Sequence, residues 1–369
     1  MVSKNIKSYF VQRLNDWAAA NKRPLPWKNE PDPYLIWLSE IILQQTRVAQ
    51  GMPYYEAFKS HFPNVQVLAA APEDEIMRLW QGLGYYSRAR NLHQTAKTIA
   101  IQYQGKFPDT YEEIRALKGV GPYTAAAIAS FAFGLPYAVV DGNVSRVLSR
   151  FLGIDTPIDS TIGKKLFQDL ADTLLDRNDP GKYNQQLMDF GAVHCTPQQP
   201  LCPQCPLQSE CIAFRQKKTA QLPVKNKKIT KTKRYFHYLV PKFDSQTLIR
   251  KRTQQDIWKH LYEFPLIETE QANLDIHDLL AQNHTTLDWW KPEQLIEIRQ
   301  TGPHKQQLTH QTIIATFWEL ELQQIEQNQL PDQFVCINWK NLDKFAFPRI
   351  IDWYLKDNSL NLFSQVQQN

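Results

Sequence analysis

Apolar residues in roughly the first 215 positions recur at the three-to-four-residue spacing of helices. Short stretches that contain proline or glycine, such as KGVGPY and RNDPGKY, separate these periodic segments. The first 20 residues also fit an amphipathic helix. The pattern then predicts helices at residues 33–49, 54–61, 73–80, 87–103, 110–117, 122–133, 143–152, 162–176 and 182–193.

The pattern changes after a lysine-rich stretch without aromatic residues, RQKKTAQLPVKNKKITKTKR. Beyond it, four segments rich in β-branched and aromatic residues are typical of strands: YFHYLVPKF, TLIRKR, IIATFWELEL and FVCINW. Helical patterns at 272–282 and 346–356 lie among them. The sequence therefore predicts a mainly helical domain at residues 1–216, a basic linker at 217–232 and an α+β domain at 233–369.

Composition and charge narrow the class of protein. The 369 residues are 43% hydrophobic and 21% charged, with a formal net charge of +5, which permits a nucleic-acid partner without requiring one. No apolar run reaches the length of a membrane span, and the N-terminal residues lack the apolar core of a signal peptide. We therefore expect a bacterial cytoplasmic protein that works away from membranes.

Four of the five cysteines lie in one short, proline-rich stretch with the spacing C-x6-C-x2-C-x5-C. In a reducing compartment such a cluster indicates a metal site more often than disulfides. The thiols are Cys195, Cys202, Cys205 and Cys211. Zinc sites usually contain two C-x2-C pairs, whereas this stretch has one, so the spacing alone leaves zinc and an iron–sulfur cluster equally open. Cys336, in a strand-like segment, fits a core position.

The stretch LKGVGPYTAAAI has the form of a helix, a G-V-G turn and a second helix. Gly119 and Gly121 permit a tight turn whose exposed N–H groups, at the start of a helix, can bind an anion such as a DNA phosphate. A plain connecting turn is the simpler alternative. Asp141, in VVDGNVSRV, stands where a helix N-cap is expected. Its carboxylate can serve only as a cap, or it can be held ionised beside bound DNA.

Glu40 lies in a segment, PYLIWLSEIILQQ, that is apolar around most of its circumference. Burial raises the pKa of a carboxyl group that has no compensating charge, and a raised pKa suits a general acid. An ion pair with a lysine or arginine would be the structural alternative. A glutamic acid beside an ionised aspartate is the pair needed to cleave a glycosidic bond through a cationic transition state.

Several of these segments together resemble the adenine DNA glycosylases of the helix–hairpin–helix superfamily, which also includes endonuclease III. The segments are PWKNEPDPYLIWLSEIILQQTRV, GLGYYSRARNL, LKGVGPYTAAAI, VVDGNVSRVLSR and DFGAVHCTP, together with the cysteine spacing. The resemblance covers nearly the whole N-terminal domain. It implies two helical lobes around a DNA cleft: a six-helix barrel at 29–136, and a second lobe made of 1–28 and 137–216 that carries one [4Fe–4S] cluster on the four cysteines.

The resemblance also implies an activity and residue roles. The expected reaction is hydrolysis of the adenine glycosidic bond in double-stranded DNA with A:8-oxoguanine or A:G mispairs, by a monomeric enzyme of base excision repair. Glu40 and Asp141 would be the catalytic pair, oriented by Tyr123 and Asn143. Endonuclease III-like lyases have a lysine at the position of Tyr123, so a lyase step is not expected.

Further residues are assigned by the same resemblance to contacts with DNA. Gln45 and Tyr85 would enter the gap that the flipped adenine leaves, with Leu83 beside them, and the hairpin residues Gly119, Val120 and Gly121 would grip the DNA backbone. Arg23, Leu25, Trp27 and Met188 would line the adenine pocket, although core packing is the alternative for each of them taken singly.

The C-terminal segment TLIRKRTQQDIWKHLYEFPLIE resembles the Nudix-like domain of these glycosylases. No array of glutamates follows Phe264 and Pro265, so we expect this domain to recognise a base rather than hydrolyse nucleotides. In the family a loop with the sequence F-S-H contacts 8-oxoguanine. The corresponding residues here are Leu308, Thr309 and His310, which retain a hydroxyl and the histidine.

Overall fold

The computed structural model describes residues 2–28, 30–226, 230–271, 274–281, 292–325 and 330–365. It divides into two compact units, Met1–Ala70 with Asn91–Lys228 and Ala71–Arg90 with Ile229–Asn369. Residues 227–229 of the predicted linker, and 272, 273 and 282 of one predicted helix, lie outside the described residues. The domain boundaries proposed from the sequence stay a prediction. In the structure, residues 71–90 group with the C-terminal strands.

The first unit is helical. It contains α1 (Lys4–Ala20), α2 (Pro33–Leu43), α3 (Val48–His61), α4 (Val65–Ala70), most of α6 (Ser87–Gln102), α7 (Tyr111–Ala116), α8 (Pro122–Phe133), α9 (Gly142–Leu152), α10 (Thr161–Leu174), α11 (Pro180–Val193) and α12 (Ile212–Arg215).

Side-chain caps and glycines define the ends of these helices. Asp32, Asp141 and Asp179 each accept a hydrogen bond from a backbone N–H in the first turn of α2, α9 and α11. At the other end, α8 and α9 stop at Gly134 and Gly153, whose φ angles of 64° and 66° are left-handed. The caps place Asp141 at the start of α9 rather than within it.

A single apolar cluster joins α1, α9, α10 and α11. Its buried members include Phe10, Leu14, Trp17, Val144, Val147, Phe151, Phe167, Leu174, Leu187 and Phe190. Burial of such side chains stabilises each by roughly 1.5–3 kcal/mol relative to exposure. The cluster therefore fixes α9, which carries Asp141 at its start, against α11.

One predicted helix is wrong in its extent. The segment 33–49 is not continuous, since α2 ends at Leu43 and α3 begins at Val48. Gln45, between them, has a φ of 55°, which no right-handed helix accommodates. Neither proline nor glycine marks this break, which explains why periodicity missed it. The short helix α4 was not predicted either.

The second unit combines α5 (Glu73–Leu79) with two sheets and two further helices. The strands are β1 (Thr232–Lys242), β2 (Gln246–Lys251), β3 (Tyr262–Glu263), β4 (Leu266–Thr269), β5 (Leu295–Gln307), β6 (Gln311–Leu322) and β7 (Phe334–Asn338); the helices are α13 (Ile276–Ala281) and α14 (Arg349–Gln365). One sheet has the order β4-β1-β6-β5, with β1 and β6 parallel, and the other has the order β3-β2-β7.

The predicted fold class, helical followed by α+β, is confirmed. Strand β5 was not predicted, because its residues are mostly polar and exposed and Pro303 lies within it. A proline is tolerated there because β5 is an edge strand. Cys336 packs against the core of this unit but is only partly buried, and its thiol donates to Gln246 Oε1 at 3.1 Å. Within the described chain, no helix has the length and apolar character of a membrane span.

Candidate active site

Glu40 lies on α2 and is 8% exposed. Burial raises the pKa of its carboxyl group from 4.5 to about 7, and the nearby charge of Asp141 adds to the rise. A hydrogen bond from the Tyr123 hydroxyl acts in the opposite direction, because it stabilises the carboxylate. Glu40 is therefore poised to hold a proton near neutral pH and to release it, as a general acid requires.

Tyr123, on α8, contacts two groups with one hydroxyl. Its oxygen lies 3.8 Å from Met188 Sδ, and it also hydrogen-bonds Glu40. A hydroxyl has a single hydrogen, and a carboxylate is a much stronger acceptor than a thioether. The proton is therefore directed at Glu40, and the sulfur is the weaker neighbour of the same hydroxyl oxygen. Burial raises the pKa of Tyr123 well above its ordinary value, so the hydroxyl remains a donor.

Asp141 is the N-cap of α9, as the sequence predicts, and its carboxylate is extensively hydrogen-bonded. Oδ1 accepts from Val144 N at 2.7 Å, and Oδ2 accepts from Asn143 Nδ2 at 2.7 Å. Burial raises the pKa of Asp141, while these donors and the charge of Arg146 lower it. Glu40 has one such donor, so the two carboxyl groups differ in how strongly their surroundings favour the charged form.

Arg146 connects this carboxylate to the cysteine loop. Its Nη2 donates to Asn143 Oδ1 at 2.9 Å and to the Gly191 carbonyl at 2.6 Å, and its Nε donates to the Cys195 carbonyl at 2.8 Å. A continuous path of hydrogen bonds thus runs from Asp141 through Asn143 and Arg146 to the first cysteine. The side chain is 7% exposed, so water competes little for these bonds.

The four clustered cysteines carry free thiols. Burial raises the pKa of Cys202, Cys205 and Cys211, and charge on the neighbouring thiols raises it further. Among the residues that the structure describes, no three His, Cys, Asp or Glu side chains are arranged as a ready metal site.

The donor set nevertheless suits an iron–sulfur cluster, since it consists of thiols without a carboxylate or imidazole among them. Arg150, which is 2% exposed, brings a positive charge to this loop. Its Nη1 lies 3.4 Å from Cys195 Sγ, and its remaining donors bind the Thr196, Pro197 and Leu222 carbonyls. The charge of Arg150 also acts on Cys202, where it opposes the burial that raises the pKa of that thiol.

The predicted hairpin turn lies between α7 and α8. Gly119 has a φ of 79°, and a Cβ there would lie 2.8 Å from the Asn91 Cβ. Arg115 Nη1 donates to the Val120 carbonyl at 2.7 Å, and Thr95 Oγ1 donates to the Lys118 carbonyl at 2.8 Å. Side chains of the protein therefore satisfy these two carbonyls of the turn. Gly121 has open space around it, and its N–H precedes α8.

The two residues predicted to enter DNA share an unusual backbone conformation. Gln45 and Tyr85 have φ angles of 55° and 49°, in the left-handed region that non-glycine residues rarely adopt. Both are exposed, Tyr85 to 43%. The guanidinium of Arg88 makes a cation–π contact with the ring of Tyr85, 5.4 Å from its centroid. Leu83 differs, since it is 4% exposed.

The residues predicted to line the adenine pocket come from two elements of the helical unit. Leu25 and Trp27 belong to the segment before α2, where Trp27 packs edge-on against Tyr55 with ring centroids 5.3 Å apart. Arg23 binds Asp189 Oδ1 at 3.0 Å. Met188 precedes Asp189 on α11 and touches the Tyr123 hydroxyl.

Thr309 and His310 form the turn between β5 and β6, and Leu308 N donates to the Gln311 carbonyl across it. His310 is exposed. The Thr309 hydroxyl hydrogen-bonds the Tyr85 hydroxyl. The structure thus places both predicted lesion-recognition residues at an accessible turn, next to one of the residues predicted to enter DNA.

Sequence reasoning missed Arg146, Arg150 and Asp189. The two arginines are one turn apart on α9, a spacing that is equally typical of a solvated face. Asp189 carried a usable signal, because it stands in QLMDFGAV, a largely apolar part of a helix. The argument that identified Glu40 as a buried carboxyl group applies to it as well.

Comparison with known proteins identifies the family. Residues 38–171 match the model of the HhH-GPD superfamily base excision DNA repair proteins, and residues 237–357 match the NUDIX domain. The adenine DNA glycosylase of Buchnera aphidicola subsp. Acyrthosiphon pisum is 38% identical over 270 residues, which cover 73% of this chain and 77% of that protein. The adenine DNA glycosylase of Homo sapiens is 43% identical over 222 residues, 58% of this chain and 41% of that one.

Among solved structures, a thermostable thymine-DNA glycosylase is similar with a TM-score of 0.53 and 29% identity. The similarity covers 57% of this chain and 97% of that one. Since the bacterial relative is matched over more than two thirds of its length, the protein is a DNA glycosylase that belongs to the adenine DNA glycosylase family.

Proposed function

We propose that this chain removes adenine from duplex DNA where adenine is mispaired with 8-oxoguanine or guanine, as the first step of base excision repair. The observation that carries the proposal is the pair Glu40 and Asp141. Burial raises the pKa of both carboxyl groups, that of Glu40 to about 7, but at Asp141 the donors Val144 N–H and Asn143 and the charge of Arg146 oppose the rise. Two carboxyl groups with such different environments suit the two roles of glycosidic cleavage.

The first chemical step assigned to the site is proton transfer from Glu40 to N7 of an extruded adenine. Protonation makes the base a neutral leaving group, and the bond to C1′ breaks toward a cationic transition state. Tyr123 directs its hydroxyl hydrogen at Glu40, and so orients the acid and stabilises the carboxylate left after transfer.

Asp141 stabilises the positive charge that develops at C1′, either through space or by a transient bond. Asn143 and the Val144 N–H hold both carboxylate oxygens of Asp141, so the carboxylate and its donors need not reorient as the bond breaks. Glu40, now deprotonated, takes a proton from the attacking water. Protons and charge balance, since the water contributes one proton to Glu40 and its hydroxyl to C1′.

DNA is gripped by the hairpin, through the N–H groups of Gly119 and Gly121, since the Val120 N–H already donates to the Leu117 carbonyl at 3.1 Å, and by the loop that carries the four cysteines. When bound, the cluster on the four cysteines supplies a rigid, closed fold of that loop and no chemistry on the base. Extrusion of the adenine costs a few kcal/mol, which Gln45 and Tyr85 offset by filling the space left in the stack. Their left-handed backbones support this role.

Thr309 and His310 are proposed to read the base opposite adenine. The turn that carries them is accessible, and a hydroxyl and an imidazole can both donate to the extra oxygen or accept the extra N–H of 8-oxoguanine. The C-terminal unit is assigned recognition rather than nucleotide hydrolysis. Glu263 belongs to the Nudix-like segment TLIRKRTQQDIWKHLYEFPLIE. It is 1% exposed and paired with Arg250 and Arg252, and is therefore unsuited to bind a metal.

The test is adenine release from duplexes in which adenine stands opposite 8-oxoguanine, guanine, cytosine or thymine. We expect release opposite 8-oxoguanine first, then opposite guanine, and little opposite the other two. Release that ignores the opposite base would refute the lesion-reading role of the C-terminal unit, and no release from any duplex would refute the proposed activity. Borohydride trapping tests the lyase alternative, which requires an amine where Tyr123 stands.

A further inference from the structure

Asp189 is a buried carboxylate that binds two cations from one short segment. Oδ1 accepts from Arg23 Nη1 at 3.0 Å, and Oδ2 accepts from Lys28 Nζ at 2.9 Å. Gln185, one turn earlier on α11, donates to Oδ1 at 3.2 Å. The Asp189 side chain is 4% exposed, whereas those of Arg23 and Lys28 are 29% and 26% exposed. A carboxylate this deeply buried is stable only because both oxygens are paired.

The two cations close the segment from Arg23 to Lys28 into a compact loop. Lys28 Nζ also lies 3.4 Å from the Arg23 carbonyl, and Lys28 N donates to the Leu25 carbonyl at 3.0 Å. The two ends of the loop therefore meet at one carboxylate. Trp27 adds a second attachment, through its edge-on packing against the buried ring of Tyr55.

The attachment point is close to the chemistry. Met188, the neighbour of Asp189 in sequence, contacts the Tyr123 hydroxyl that donates to Glu40. Gly191, two residues further, packs so tightly on Asn143 that a Cβ would lie 2.7 Å from the Asn143 Cβ. One face of α11 thus touches the partners of both catalytic carboxyl groups, and the loop is held to that same helix.

We propose that Asp189 is a positioning residue that sets base specificity, because it holds Arg23 and Lys28 together and thereby fixes the loop between them as a wall of the adenine pocket. The inference rests on the proposed function for the identity of the base. The attachment itself does not depend on it. Without the carboxylate, two positive side chains stand next to each other unneutralised, and their repulsion opens the loop.

The experiment compares the wild-type protein with Asp189→Asn, which keeps the shape and loses the charge. Hydrogen–deuterium exchange of peptides covering residues 21–28 reports the attachment directly. We expect faster exchange there in Asp189→Asn, unchanged exchange in α8, and recovery toward wild type in Asp189→Glu. Asp179→Asn is the matched control, because Asp179 is an exposed cap on the same helix and asparagine caps equally well.

Single-turnover excision then tests specificity on duplexes that carry adenine or unsubstituted purine opposite 8-oxoguanine. Misplacement of a pocket wall by about 1 Å can cost on the order of 100-fold in rate. We therefore expect Asp189→Asn to excise adenine ~10–100-fold more slowly, with a smaller loss on purine and duplex affinity within a few-fold of wild type. A purely structural role would lower both rates equally.

Each outcome decides one part of the inference. Unchanged exchange at residues 21–28 in Asp189→Asn would overturn the attachment, whether or not the enzyme acts on adenine. Faster exchange with an unchanged ratio of adenine to purine excision would overturn the specificity role. An inactive wild-type protein would contradict the proposed function instead, and the exchange comparison would still decide the attachment.

Discussion

Arg146 donates a 2.9 Å hydrogen bond to the side-chain oxygen of Asn143, and so presents the Asn143 amide nitrogen to Asp141. Without this hydrogen bond, the Asn143 amide could rotate and turn its oxygen, rather than its nitrogen, toward the Asp141 carboxylate. Arg146 excludes that orientation, because its guanidinium has no acceptor. The same arginine binds the Cys195 carbonyl, so the orientation of the Asn143 side chain depends on the fold of the cysteine loop.

The first prediction concerns Asn143. Its side chain lowers the pKa of Asp141 by favouring the carboxylate, so Asn143→Ala raises that pKa. In the proposed mechanism Asp141 acts when ionised, so the acid limb of the pH–rate profile for single-turnover adenine release should move to higher pH. Ser145→Ala is the control, because the Ser145 hydroxyl binds the Asp141 backbone carbonyl and not the carboxylate. An acid limb that stays in place would contradict this account.

A second prediction concerns the alkaline limb of the same profile. The Tyr123 hydroxyl lowers the pKa of Glu40 by stabilising its carboxylate. Tyr123→Phe removes that donor, the pKa of Glu40 rises above about 7, and the fall in rate on the alkaline side moves to higher pH. Tyr183→Phe serves as a control, since Tyr183 is a buried tyrosine whose hydroxyl lacks a partner within the described structure. A shift of the alkaline limb to lower pH would show that the Tyr123 hydroxyl does not stabilise the Glu40 carboxylate.

The third prediction links the active site to stability. Because the pKa of Glu40 is higher in the folded protein than in the unfolded chain, ionisation of Glu40 lowers the free energy of unfolding. This destabilisation is absent below pH 4.5 and complete above a pH of about 7. The difference between these pKa values corresponds to roughly 3 kcal/mol. Glu40→Gln should therefore be more stable than wild type at pH 8 and no more stable near pH 4.

Denaturant midpoints at the two pH values measure this difference. Asp16→Asn, which replaces an exposed carboxylate on α1, controls for the general effect of removing a negative charge. If Glu40→Gln raised the denaturant midpoint equally at both pH values, or did not raise it at pH 8, burial of an ionisable Glu40 would be the wrong explanation.

The hairpin glycines provide the fourth prediction. Gly119→Ala places a Cβ against Asn91 at a φ of 79°, so it should lower the stability of the protein by at least about 1 kcal/mol and weaken DNA binding as well. Gly121→Ala meets open space and loses only the preference for glycine over alanine at an N-cap, so it should cost less stability than Gly119→Ala, while its methyl group obstructs a phosphate at the N–H groups. Thermal melting and duplex affinity separate the two effects. Equal affinity of Gly121→Ala and wild type would refute a phosphate at this turn.

Much of the fold follows from the sequence, because its signals are local. The caps Asp32, Asp141 and Asp179 and the turn at Gly134 mark helix ends that depend on neighbouring residues alone. Glu40 could be identified for the same reason, since a carboxyl group in an apolar helix is anomalous wherever the helix packs.

The features that sequence reasoning missed depend on distant partners. The break between α2 and α3 at Gln45 has no local breaker, and the left-handed backbone is imposed by the surrounding structure. Asp189 binds residues more than 160 positions away, with separations of 166 for Arg23 and 161 for Lys28. Strand β5 is polar and contains a proline, and is a strand because β6 pairs with it.

The central claim, that Glu40 is the acid that makes adenine a leaving group, is tested most directly by single-turnover adenine release from an A:8-oxoguanine duplex by wild type and by Glu40→Gln. A general acid contributes about 100- to 10,000-fold to the rate. The account predicts that Glu40→Gln binds the duplex as tightly as wild type and releases adenine at least ~100-fold more slowly. Release within about tenfold of the wild-type rate, at equal affinity, would contradict it.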